Sequence, residues 1–414
     1  KKAVCVIDMD LHRTEVAATE RVVSDTKKTA PTLYKPHVKV QKSLVSLPET
    51  KYWGLRVLAL CLLMLANIRL MIENTLRYGW ITNYSLLGLM VAPSRWPSLL
   101  IGIGLNVFVI FAVLIEKMAS TVGNTATWIL HTLNITVLIL LPWYLIAQLH
   151  VMFASGVVVC MMVVIVAMKL VSWAQVNSHL RNVACKYGDK SYPGNVNFQE
   201  IYYFMFVPTL CYQTKYPRTD SINWKYLILK IFEVIVLSLV QFTMGGQYIY
   251  PIVEKSLAPL DKGNFVSVLE RILKLSLPNL YVWLLGFYVF FHDYLNILAE
   301  IARFGDRQFY KDWWNSTDLG TYWRTWNSPV HNWMLRHVYI PCSKMGMSRI
   351  VCTLLCFFIS AVFHEYILSV PFGHLKLWAF WGMMGQVPLV WLTRGFSKSN
   401  PVMGNVIFWV SIAI

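Results

Sequence analysis

The stretch RIVCTLLCFFISAVFHEYILSVP, from Arg349 to Pro371, is long enough to cross a bilayer, yet it carries His364 and Glu365 side by side in an apolar run. About 20 consecutive apolar residues span the hydrocarbon core as a helix. An ionisable group at that depth costs roughly 2.5–3.5 kcal/mol on insertion scales, so it marks a functional site unless a neighbouring helix takes it as a structural partner. The stretch alone leaves both readings of His364 open. It does settle the solvent, which is lipid.

Composition agrees. At 414 residues the chain is 56% hydrophobic and 14% charged, with a mean hydropathy of +0.49. That is too apolar and too charge-poor for a water-soluble domain, and predicts an all-α polytopic membrane protein. The net charge of +16 does not indicate nucleic acid, because the cations lie between apolar spans rather than in one patch with stacking aromatics. They follow the positive-inside pattern and suit anionic lipid or an anionic substrate. The eight cysteines are scattered without C-x-x-C pairs, so neither a disulfide framework nor a metal site is expected.

Apolar windows predict about nine transmembrane helices, near 54–73, 97–115, 126–147, 150–172, 227–250, 278–299, 349–371 and 376–393, with the last beginning near 402. The closing VIFWVSIAI stops inside an apolar run, which reads as a span continuing past Ile414. Residues 1–51 are mixed-charge and polar, expected to be a cytosolic tail that is disordered or docked on a partner; residues 52–414 form the membrane domain. The first span then acts as the targeting signal. A cytosolic N-terminus puts the basic segments 172–226 and 300–348 in the cytosol, and turns the sequon at Asn83 toward the lumen. His292, Asn296 and Glu300, four residues apart, share a helical face. With His364 they would line the pathway of a transporter, the alternative class, although no inverted repeat supports it.

Between the two polar spans lies FYKDWWNSTDLGTYWRTWNSPVHNWMLRHVYIPC, from Phe309 to Cys342. It is too polar to span. Trp313, Trp314, Trp323, Trp326 and Trp333, with Tyr310, Tyr322 and Tyr339, suit a chain lying at the membrane interface. Ser328-Pro329 reads as an N-cap followed by proline at the first helical position, predicting a helix from there to about Tyr339, with Asn327 before it and His331 in its first turn.

The strings FYKDWWN (309–315), WNSPVHNWMLRHVYIP (326–341), SAVFHEYILSVP (360–371) and LWAFWGMMGQVP (377–388) strongly resemble the membrane-bound O-acyltransferases, in particular their diacylglycerol branch. ANIRLMIENTLRYG (66–79) and SYPGNVNFQEIYYFMFVPTLCY (191–212) extend the resemblance over nearly all of the chain beyond the tail. The resemblance implies a multi-pass bundle of the endoplasmic reticulum whose aromatic segment, on the cytosolic side, encloses a buried chamber. It implies acyl transfer from acyl-coenzyme A to diacylglycerol, with sterols, retinol or long-chain alcohols as alternative acceptors. Acyl-coenzyme A is then a substrate and no cofactor is expected. A homodimer is implied too, with residues 37–51 a candidate contact.

Residue by residue, the resemblance makes His364 the catalytic base and Asn327 its companion, serving either as oxyanion donor or as orienter of the ring. Burial would hold the imidazole neutral and able to accept a proton. His331, Ser360, Glu365, Met383 and Gln386 match chamber-lining positions. Phe309, Tyr310, Asp312, Trp313, Trp314, Asn315 and Trp326 are expected to contact the substrates. Lys344, Arg349, Arg336 and Tyr339 would form a cytosolic mouth for the phosphates of coenzyme A. Arg349 stands where the family often places lysine, which keeps the charge and changes its geometry. Glu365 lies about 100° around the helix from His364 and is expected to pair with another helix.

Overall fold

The computed structural model describes residues 53–82, 96–187, 191–255 and 265–413. Among them are helices and connecting turns, one isolated antiparallel bridge between Arg218 and Phe304, and no strand. The tail, the 37–51 contact and the sequon at Asn83 lie outside the described residues. The helices are α1 (Trp53–Tyr78), α2 (Trp96–Lys117), α3 (Asn124–Gln148), α4 (Phe153–Tyr187), α5 (Phe198–Phe206) and α6 (Trp224–Glu254). They continue with α7 (Phe265–Ile301), α8 (Leu319–Thr325), α9 (328–344), α10 (Arg349–Phe372), α11 (Trp378–Ser399) and α12 (Pro401–Ala413).

All nine predicted spans fall on helices, but among the described residues only α2, α3, α4, α6, α7 and α10 are both long and apolar enough to cross a membrane. Two of the others fall short for identifiable reasons: α11 is diluted by Gly382, Gly385, Gln386 and Thr393, and α12 has 13 residues. α4 departs most from expectation, running 35 residues, about 52 Å, well past residue 172. No glycine or proline interrupts it between Gly156 and its end, so nothing stops the helix where the apolar window does.

In a bundle without water, ionisable groups need protein partners. Glu116 of α2 takes His131 of α3 at 3.0 Å and Arg181 of α4, while the Arg181 Nε donates to Asn124 at 2.8 Å. Three helices are thereby clamped together. Lys169 of α4 donates to the carbonyls of Phe204, Met205 and Val207, each at 2.8 Å, satisfying acceptors that the end of α5 leaves open. Lys230 of α6 lies 2.9 Å from Asp293 of α7, and seals that pair.

α10 packs on α3, α4, α9 and α11. Its far end presses against α4 at Gly156, where a Cβ would stand 2.9 Å from the Pro371 Cβ; beside it the rings of Phe153 and Phe372 are 4.1 Å apart. A small residue permits this approach. We predict that Gly156→Leu forces the helices apart at a cost of about 1–3 kcal/mol, seen as a lower melting temperature of the purified protein. An unchanged melting temperature would contradict so close a contact.

Candidate active site

α10 begins at Ser348, whose side chain accepts from the Val351 N–H at 3.3 Å, and ends at Gly373, whose φ of 69° is left-handed. About 22 Å along its axis from Arg349 sits His364. The His364 Nδ1 lies 2.7 Å from the Ser360 carbonyl and 3.4 Å from the Ser360 hydroxyl. A carbonyl can only accept, so in the neutral ring the proton resides on Nδ1 and Nε2 carries the free lone pair. His364 is exposed, a correction to the expected burial. Ser360 and Phe357, one and two turns before it on the same face, are half-buried.

Glu365, next in sequence, is buried and faces elsewhere. Its carboxylate accepts from the backbone N–H groups of Leu377 at 2.8 Å and Phe380 at 3.0 Å, and from the Ser369 hydroxyl. Those amides belong to the first turn of α11, so Glu365 caps a second helix from outside it. The cap also holds Leu377 at a φ of 57°, a conformation uncommon for a side chain that bulky. α11 in turn carries Met383, buried, and Gln386, half-buried.

The N-cap of α9 is Asn327 rather than the expected Ser328. The Asn327 Oδ1 accepts from the Val330 N–H at 3.1 Å, and Pro329 occupies the first turn. The helical chain also runs on through a π-helical turn at Leu335–Tyr339 to Lys344, past the predicted end. Capping commits the amide oxygen and leaves Nδ2 as the donor. Among the described residues no hydrogen bond joins Asn327 to His364, whose ring is oriented by Ser360 instead.

The aromatic segment packs into the protein rather than standing free of it. Phe309, Tyr310, Trp313 and Tyr322 are buried in the main core, with Trp314 and Trp326 packed against it, while Asp312 and Asn315 are exposed. α7 supplies the matching surface. Phe287 meets Tyr310 at 5.1 Å and Trp313 at 5.0 Å, and Phe291 meets Trp326 at 5.2 Å. Stacked and edge-on rings bury more area here than a flat interfacial chain would. α12 closes the cluster: Phe408 lies 5.2 Å from Tyr322, and the Asn405 amide donates to the carbonyls of Trp314 at 3.2 Å and Ser316 at 2.8 Å.

The polar face of α7 is also engaged. His292 meets the Tyr310 hydroxyl at 2.9 Å, Asn296 donates to the His292 carbonyl at 2.5 Å, and Glu300 takes Arg307 at 2.5 Å and the Asn223 N–H at 2.6 Å. All three side chains are buried, in contacts that join the chain rather than line a path. A π-helical turn at Tyr288–Tyr294 shifts the regular spacing that periodicity assumes. The pairing of His292 with Tyr310 had no signal in the sequence beyond two polar groups needing partners.

Of the basic mouth, Lys344 and Arg349 are exposed and Arg336 and Tyr339 half-buried. Arg336 borders a small cleft with Cys211, Phe304, Gln308, Phe309 and Asn332. His331 is half-buried; burial first, then the charges of Arg324 and Lys311, hold its pKa below the ordinary value. Burial and then Arg336 push His337 down to about 3, while its Nδ1 pairs with the Gln175 Oε1 at 2.8 Å. Both rings are thereby kept neutral.

Two outcomes follow. Replacing Glu365 by Ala strands the amides of Leu377 and Phe380, costing roughly 1–3 kcal/mol for each donor left unpaired, and Glu365→Gln should lose less; equal melting temperatures for both variants and the wild type would remove the capping role. Because the folded-state pKa of His337 is depressed below the unfolded value near 6.5, the unfolded chain binds the extra proton between that pH and about 3. Its contribution is therefore complete above the window and lost as pH falls through it. Melting measured from pH 7 to pH 4 should fall less steeply for His337→Gln than for the wild type.

The chain is 44% identical over 375 residues to diacylglycerol O-acyltransferase 1 of Dictyostelium discoideum, covering 88% of this chain and 60% of that protein. It is 40% identical over 401 residues to diacylglycerol O-acyltransferase 1C of Glycine max (92% and 77%) and 40% over 402 residues to diacylglycerol O-acyltransferase 1 of Corylus americana (92% and 74%). The chain thus spans about three fifths of the length of the Dictyostelium relative. Residues 118–414, which hold the aromatic segment and both ends of the His364 helix, match the model of the membrane-bound O-acyltransferases, and the chain belongs to that family.

Proposed function

We propose that this chain transfers a fatty acyl group from acyl-coenzyme A to the free hydroxyl of diacylglycerol, giving triacylglycerol and coenzyme A, with His364 as general base. One observation carries the assignment of the base: the His364 Nδ1 is held by the Ser360 carbonyl at 2.7 Å, so in the neutral ring the acceptor lone pair is on Nε2. The activity is supported by the similarity to diacylglycerol O-acyltransferases of slime-mould and plant origin.

The chemistry follows from these groups. The Nε2 lone pair takes the alcohol proton as the oxygen attacks the thioester carbonyl; an alcohol is a far weaker acid than imidazolium, so the two events are concerted. The tetrahedral oxyanion needs a donor. The Nδ2 of Asn327 is the proposed one, since its oxygen is held by the cap and the His364 ring is already oriented by Ser360. Collapse breaks the carbon–sulfur bond, and the imidazolium returns its proton to the departing thiolate. No acyl-enzyme is needed. Hydrocarbon at this depth denies water the acyl group.

Lys344 and Arg349, exposed at the end of α10 remote from His364, suit the phosphates of coenzyme A, and the uncharged acceptor enters from the bilayer. Met383, Gln386 and the motif residues from Phe309 to Asn315, with Trp326, His331 and Glu365, support or line the site in this reading. The same reading places the chain in the endoplasmic-reticulum membrane with a cytosolic N-terminus, as a homodimer, and requires no cofactor.

His364→Ala should abolish triacylglycerol formation from labelled acyl-coenzyme A while the protein still inserts and still binds acyl-coenzyme A. Retained turnover would overturn the role of the residue. Esterification of sterol, retinol or a long-chain alcohol without triacylglycerol would overturn the acceptor.

A further inference from the structure

We infer that Trp323 is a positioning residue, an aromatic spacer that sets the distance between the element bearing Asn327 and the face of α10 bearing His364. The inference rests on the acyl-transfer reading above, and deepens it.

α8 is wedged between two helices. On one side Asp318 caps it, accepting from the Thr321 N–H at 2.9 Å, and the Leu319 N–H donates to the Thr393 hydroxyl of α11 at 3.4 Å. On the other side the Trp323 ring meets Phe357 of α10 edge-on, with centroids 6.1 Å apart and planes at 86°. Phe357 precedes His364 by two helical turns, so the two residues share a face, with Ser360 between them. Trp323 itself precedes Asn327 by four residues, through Trp326, whose ring lies 6.2 Å from it. The one side chain therefore touches the His364 face and anchors the turn that ends in the Asn327 cap.

The ring is what the position supplies. The Trp323 N–H is buried and meets no acceptor among the described residues, whereas the Trp333 N–H donates to the Met168 carbonyl at 2.8 Å. Removing the ring lets α8 and the Asn327 cap of α9 settle toward α10, and a shift of about 1 Å between catalytic groups is worth about 100-fold in rate. Binding of the coenzyme A head, about 22 Å away at the Arg349 end, is not disturbed by that shift.

The test compares Trp323→Ala, Trp323→Phe and Phe357→Ala in the full chain, purified in lipid nanodiscs. Melting temperature and acyl-coenzyme A binding are measured beside kcat and KM, with diacylglycerol, a sterol and a long-chain alcohol each offered as acceptor. The expected result is a kcat lowered by about 100-fold in both alanine variants, an unchanged KM for acyl-coenzyme A, and most of the rate restored in Trp323→Phe. Should Trp323→Ala fail to fold, Phe357→Ala reads the same contact from its other side. An unchanged kcat, a raised KM with kcat retained, or a phenylalanine variant as slow as the alanine one would each overturn the spacer. Wild-type turnover only with an acceptor other than diacylglycerol would instead overturn the acceptor, and leave the spacer to be judged on the substrate that works.

Discussion

A polar group placed where there is no water must find its partner inside the protein, and this constraint organises the bundle. Glu116, Lys169, Arg181, Lys230, Asp293, Glu300 and Glu365 all lie buried among apolar helices, and each is held by another helix, a backbone terminus or an opposite charge. Such pairs add little net stability against well-packed hydrophobic alternatives. Their value lies in register, since a helix that slipped by one turn would strand a charge.

Against that background His364 is the exception. Its Nδ1 is satisfied within its own helix, its Nε2 meets no protein partner among the described residues, and its side chain is exposed. Adjacent residues thus divide two tasks. Glu365 points the other way and fastens the first turn of α11 to α10, so the helix that presents His364 also fixes the next helix. On the opposite flank, α8 and α9 place Asn327 through ring packing against α7, α10 and α12. Aromatic contacts are suited to that work, because large rigid rings in close packing resist small displacements.

Much of this was legible from residues alone. The length and apolarity of the spans, the misplaced His364–Glu365 pair, the break at Asn327-Ser328-Pro329 and the need for Glu365 to find a partner on another helix all follow from local chemistry. Boundaries were less legible. α4 outruns its apolar window because helix propensity continues where hydropathy stops, and the cap fell one residue early because Asn and Ser are equally good caps. The partners of the aromatic segment were not legible for a different reason: its composition suits many ring neighbours, and only the fold brings the rings of α7 and α12 against it.

The sequence by itself determined the solvent, the helical class and the residue types able to do acyl-transfer chemistry, because these depend on composition and on short-range periodicity. Only the folded structure decided which nitrogen of His364 faces the Ser360 carbonyl, which atoms of Asn327 remain available, and that Glu365 is committed to α11. The first two are questions of the direction a side chain takes within one turn, and the third of the distance between two helices. A helical period assigns each side chain a face, but the packing of the other helices decides what that face meets.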